Sequence, residues 1–245
     1  MLQTICVINP NSSEAMRQVI ETSCRQVALN DTQLQVVCAP SGVTSVEGFY
    51  DGALATVGVL KSLQSTPSQG YLIACADDTG LDACREITSA PVLGIGEAAM
   101  HTATLLGAGF SVLTAQQKSV HILKRNAYQY GFATHCRGVH AMKTPVLDLE
   151  KFLEPEYFPV LLERCRQILE QDESEVLVLG CAGLTIMQKP LQDALQVPVI
   201  DGIRAGISLI EGLLRCGLST SKYCTYQPAE YQASEDKKTG AGDQG

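Results

Sequence analysis

The chain has 245 residues, 45% hydrophobic and 18% charged, with 26 acidic against 18 basic side chains and a formal net charge of −8. That is enough apolar material for one large core or two modest ones, and the acidic balance argues against nucleic acid and anionic membrane surfaces, which call for a basic face. No apolar run reaches the roughly 18 residues of a membrane span, no basic leader with a cleavage site precedes the first strand, and ten cysteines in a chain of this size read as reduced thiols, so a soluble cytoplasmic protein is expected.

Residues 4–8 predict a buried strand that ends in Asn9-Pro10-Asn11-Ser12-Ser13-Glu14. Asn11 and Glu14 have capping-box spacing, with Asn in place of the usual Ser or Thr, ahead of a helix to about Gln26. The helix amides and the Asn9 and Asn11 side chains then face the strand's carboxyl end, a place for a carbonyl or an anion. A second strand at 34–38 leads through a small-residue loop containing Val43 to Phe49-Tyr50, which either cover a pocket or start the core face of a helix at 52–64. Tyr71-Leu72-Ile73-Ala74 closes on Cys75, followed by Ala76-Asp77-Asp78-Thr79-Gly80, a helix at 81–88, a short strand at 91–95 and a helix of small residues at 96–106.

The same order then repeats. Strands are expected at 110–114, 135–139, 175–180 and 197–203, with helices near 116–130, 156–171 and 203–214, and Thr114 stands where Asn9 stood. Phe110 lies 105 positions after Ile5, Cys181 lies 106 after Cys75, and Pro198 lies 107 after Pro91. Three offsets in register imply a duplicated α/β unit: two pseudo-symmetric, open, parallel-sheet halves of flavodoxin-like type with a cleft between them. The expected division is 1–97 plus 206–233 for one half, 98–205 for the other, and a polar, Gly-rich disordered tail at 234–245.

Ligands of open α/β sheets bind beyond the carboxyl ends of the strands, so Cys75 and Cys181 should face one cleft from opposite walls. With one thiolate and one thiol on the two faces of a bound carbon acid, a proton can leave one face and return to the other, which is racemisation without a cofactor. A pyridoxal enzyme would need a Schiff-base lysine, and the cysteine loops contain none. A cysteine hydrolase would need a histidine base, yet His101, His121, His135 and His140 fall away from both loops. His135-Cys136 with His140 has neither the spacing nor the count of a metal site. A redox disulfide between the two cysteines ranks last. The amides of Ala76, Asp77, Ala182 and Gly183 are candidates to hold an enolate oxygen.

These residues carry a resemblance. Ile8-Asn9-Pro10-Asn11-Ser12-Ser13, Ser45-Val46-Glu47-Gly48, Ile73-Ala74-Cys75 with Asp78 and Gly80-Leu81, Gly94-Ile95-Gly96-Glu97-Ala98-Ala99-Met100-His101, Leu179-Gly180-Cys181-Ala182-Gly183 and Pro198-Val199-Ile200-Asp201-Gly202 resemble, in order, the aspartate/glutamate racemase superfamily and within it the hydantoin racemases, including allantoin racemases. The resemblance implies cofactor-independent racemisation by Cys75 and Cys181, Cys75 serving the D form and Cys181 the L form, with substrate held around Val43, Tyr50 and Thr114. Hydantoin racemases tend to read Cys-Phe-Gly-Asp-Pro-Gly where this chain has Cys75-Ala76-Asp77-Asp78-Thr79-Gly80. The missing Phe opens the pocket, and Asp77 puts a carboxylate beside the thiol, which raises a thiol's pKa. A 5-substituted hydantoin, allantoin being one candidate, is the expected substrate of a homo-oligomer. An amino acid such as aspartate or glutamate is the alternative, and ligand binding without turnover is a further one. Cys181, with no adjoining carboxylate and a helix expected after it, should be the more acidic thiol.

Overall fold

The computed structural model describes residues 2–40 and 42–228. The expected tail at 234–245 and the end of the 206–233 segment lie outside the described residues.

Eight short strands alternate with helices. The first set is β1 (Gln3–Asn9), α1 (Glu14–Arg25), β2 (Thr32–Cys38), α2 (Phe49–Ser65), β3 (Gly70–Ile73), α3 (Leu81–Ile87), β4 (Val92–Gly94) and α4 (Ile95–Thr104). The second is β5 (Phe110–Thr114), α5 (Gln117–Gln129), β6 (Cys136–Ala141), α6 (Phe158–Gln171), β7 (Val176–Leu179), α7 (Gln188–Leu195), β8 (Val199–Asp201) and α8 (Gly202–Arg215). They build two four-stranded sheets of the same order, β2-β1-β3-β4 and β6-β5-β7-β8, with all pairings parallel. The duplication read from the offsets is therefore present in the topology.

Strand periodicity explains how the sheets share a core. Successive side chains of a strand point to opposite faces, so Ile5 and Val7 enter one cluster while Cys6 and Ile8 enter another. In the second sheet Phe110, Val112, Val176 and Val178 join the cluster of Ile5 and Val7, whereas Leu113, Leu177 and Leu179 face away. One central core thus joins the sheets, and each sheet has a private outer core.

Helix α8 seals the central core with Ile203, Ile207 and Ile210, at the spacing of one helical face. Each such side chain contributes about 1.5–3 kcal/mol when fully buried. Its first residue must be glycine, because a Cβ on Gly202 would lie 2.2 Å from the Ile95 carbonyl oxygen at the start of α4.

Local details differ from expectation. The N-cap of α1 is Ser13, whose side chain accepts from the Met16 amide at 3.2 Å; Asn11 instead accepts from the Ser13 amide at 2.9 Å, folding the loop ahead of the cap. Helix α2 starts at Phe49 rather than near 52, β6 ends at Ala141, and a 3₁₀ segment (Val146–Leu153) precedes α6. The segment after Cys181 is also 3₁₀ (Ala182–Met187), not an α-helix, and α7 follows it directly.

Candidate active site

Equivalent ladder bonds position the two cysteines. The Ala74 amide donates to the Ile8 carbonyl and the Gly180 amide to the Leu113 carbonyl, both at 2.8 Å, and in each case the next residue is the cysteine. Each thiol therefore leaves the carboxyl end of the strand beside the central strand of its sheet. Both are partly buried and border one cleft. The charge of one raises the pKa of the other, as it must for neighbours.

Each wall is held by a buried aspartate. Asp78, in the left-handed region at φ 53, accepts from the Gly96 and Glu97 amides at 2.9 and 2.8 Å and from the Tyr130 hydroxyl at 2.7 Å. These bonds tie the Cys75 loop to the start of α4, and Gly80 at φ 76 completes the turn into α3. On the other wall Asp201 caps α8 through the Ile203 amide at 2.9 Å. It also accepts from Ser23 of α1 at 2.8 Å and from Thr185 of the Cys181 segment. Burial pushes the Asp78 carboxyl up to about 8 and that of Asp201 upward as well.

Cys75, Cys181, Asn11, Ala76, Asp77, Thr114, Ala182 and Gly183 all border the cleft. Asn9, Val43 and Tyr50 do not. The Asn9 amide turns into its own loop and donates to Asn11 at 2.8 Å, so it orders a lining residue instead of being one. The Val43 carbonyl holds the Ser12 amide at 2.8 Å. Tyr50 is 77% exposed at the start of α2, where Phe49 packs edge-on to His121. Thr114 lines the cleft while its hydroxyl donates to the Gly180 carbonyl at 2.8 Å, bracing the residue before Cys181.

Gln116, Ser119, Met16, Val46 and Val146 also line the cleft and escaped the sequence reading. For Gln116 the signal was present: the offset of 105 that relates Phe110 to Ile5 also relates Gln116 to Asn11. Val46 falls in the Ser45–Gly48 stretch that carries the resemblance, and no sequence pattern marks the other three. His140, weighed above for a metal, pairs with Asp172 at 2.6 Å, and among the described residues no group of three His, Cys, Asp or Glu could hold a metal ion.

The thiols are not equivalent. Burial pushes Cys181 up to about 11, with the nearby Gly183 and Leu184 amides opposing, while the charges of Asp77 and Glu47 push the same way as burial. Cys75 is raised well above the usual thiol range, first by burial and then by the Asp77 charge, with the Asp77 amide opposing. The Leu184 amide also donates to the Cys181 carbonyl at 3.0 Å, closing the first turn of the 3₁₀ segment. Asp77 is itself pushed up to about 7 by burial, despite the Ser119 hydroxyl and the nearby Arg125.

A family model described as Asp/Glu/Hydantoin racemase matches residues 5–210. The chain belongs to that family. A hydantoin racemase of Rhizobium meliloti is 37% identical over 97% of this chain and 99% of its own length, and one of Pseudomonas sp. (strain NS671) is 36% identical over 92% of each. Among solved structures, an allantoin racemase from Klebsiella pneumoniae superposes with a TM-score of 0.88 at 40% identity, over 93% of this chain and 94% of that one.

Proposed function

We propose that the chain racemises 5-substituted hydantoins, allantoin being one candidate, by transferring a proton at C5 between Cys75 and Cys181 without a cofactor. One observation carries the reading: two thiols at equivalent strand ends of a duplicated fold border a single cleft, in a chain that belongs to a racemase family. With the C5 carbon between the sulfurs, the thiolate on one wall takes the C5 proton and becomes a thiol. The electron pair passes into the ring's enolate, and the thiol opposite returns a proton to the other face and becomes the thiolate. Asn11 and Gln116, at equivalent places on the two walls, are suited to orient the polar rim of the ring.

The base needs activation and the acid does not. With Cys181 at about 11, forming its thiolate at neutral pH costs roughly 5 kcal/mol, at about 1.4 per pKa unit. The ring's carbonyl and imide groups acidify the C5 hydrogen, which lowers what is asked of that thiolate, whereas the α-hydrogen of a free amino acid asks more. This difference favours the hydantoin over the amino acid.

The same reading divides the chain into halves at 1–97 plus 206–233 and at 98–205, supported by the close fit of α8 on β3 where Gly206 meets Leu72. It also makes the protein a cytoplasmic homo-oligomer. The exposed stripe of Tyr50, Leu54 and Val57 along α2 supports assembly, and light scattering tests it. The test of the activity is a chiral assay in deuterated water, with hydantoins, allantoin, aspartate and glutamate and no added cofactor. Inversion of a hydantoin with uptake of deuterium at C5 is expected. Binding without uptake would leave a ligand-binding protein, and turnover of the amino acids alone would transfer the activity to them.

A further inference from the structure

Asp77 is the one charged side chain lining the cleft among the described residues. Its Oδ2 is buried and no protein group donates to it, although Ser119 serves the same carboxyl. A buried carboxylate oxygen without a donor is costly to keep, so this atom is a vacant acceptor on a residue that lines the cleft. Its charge acts on both sulfurs.

We propose that Asp77 Oδ2 accepts a hydrogen bond from an N–H on the C5 substituent, so that the site selects hydantoins bearing donor groups, such as a ureido group, over those bearing alkyl groups. The inference rests on the hydantoin reading above. Its logic is complementarity: the ring's carbonyl oxygens are acceptors and find amide donors on the walls, whereas a carboxylate repels a carbonyl and is matched by an N–H. An alkyl substituent would leave Oδ2 buried against carbon, and a site built around a polar contact rejects an analogue that lacks it more strongly than it rejects a change of size. The expected carboxyl titration near neutrality is consistent with a group that an N–H donor draws fully into its charged form.

The experiment compares allantoin with 5-isobutylhydantoin, whose substituents are of closely similar size, by calorimetric binding and by C5 deuterium exchange. It uses the full-length protein and its Asp77→Ala and Asp77→Asn variants, each checked by thermal melting. The wild type should prefer allantoin, and Asp77→Ala should reduce that preference roughly 10- to 100-fold, the range for a hydrogen bond to a charged group. Asp77→Asn, which keeps the size and removes the charge, should move it the same way by less. An unchanged preference overturns the assignment. So does equal weakening of both ligands, which would put the ring and not the substituent on Asp77. If neither hydantoin binds or exchanges in the wild type, the hydantoin reading itself fails and this assignment falls with it, an outcome distinct from binding without discrimination.

Discussion

Raising the pH should modify Cys181 before Cys75, and removing the charge of Asp77 should narrow the gap. Burial and neighbouring charges carry Cys181 from 9.0 to about 11. Two pKa units leave roughly 100-fold less thiolate than an ordinary thiol at neutral pH. Cys75 is raised well above the usual thiol range, and Asp77 is the second cause for it but only the third for Cys181. The perturbation is therefore Asp77→Ala, which should lower the midpoint of Cys75 more than that of Cys181. The assay is the rate of iodoacetamide modification of each cysteine from about pH 6 to about pH 11, read by peptide mass spectrometry. The exposed Cys216 and Cys224 report that the reagent is active. Midpoints, not absolute rates, separate acidity from access. If Cys75 has the lower midpoint in the wild type, or if Asp77→Ala leaves both where they were, the electrostatic account of the two walls is wrong.

Cys75→Ser and Cys181→Ser should each abolish racemisation by roughly 10²–10⁴-fold, the range of a general base; C5 exchange without inversion should survive for one enantiomer in each variant, the D form when Cys75 is kept and the L form when Cys181 is kept, and near-normal racemisation in both would make these cysteines core residues only. Thr185→Val removes a donor to the buried Asp201 carboxylate, which should cost about 1–3 kcal/mol in chemical denaturation and slow exchange through Cys181 more than through Cys75. Because burial raises Asp77 from 3.8 to about 7, the folded state holds its proton more tightly than the unfolded one. The stability it contributes is full below about pH 4 and is lost as the pH rises through about 7. Arg125 and the thiols Cys75 and Cys181 are the ionisable groups facing it. Asp77→Asn should therefore melt at an increasing advantage over the wild type between those values, and a constant difference would count against the shift.

The fold was legible where burial leaves a continuous apolar run. Val176–Leu179 and Gly70–Ile73 are fully buried strands, and their near-equal spacing from Phe110 and Ile5, 66 and 65 positions, matches the duplication. The cysteine pair followed from that register and from the rule that sites lie at strand carboxyl ends. Side-chain destinations were less legible, because several partners compete for them over one or two residues. Asn11 and Ser13 are both competent caps, and only the loop path decides that Ser13 reaches the Met16 amide. Tyr50 has the chemistry of a pocket lid but sits on a helix turn that points outward. Val46 and Val146 reach the cleft from loops after β2 and β6 whose course is set by tertiary packing and not by any local pattern.

The two walls are built differently, one turning through left-handed Asp78 and Gly80 into an α-helix, the other opening a 3₁₀ segment at Cys181. Mirror-image substrates have equal free energies in water, so the equilibrium constant between them is unity whatever the enzyme looks like. The Haldane relation then obliges kcat/KM to be the same in both directions. An imbalance between the thiols can raise kcat for one enantiomer only by raising its KM in proportion. The structural asymmetry is thus thermodynamically silent at low substrate and visible only near saturation, where one hand of the substrate would be bound more tightly and turned over more slowly than the other.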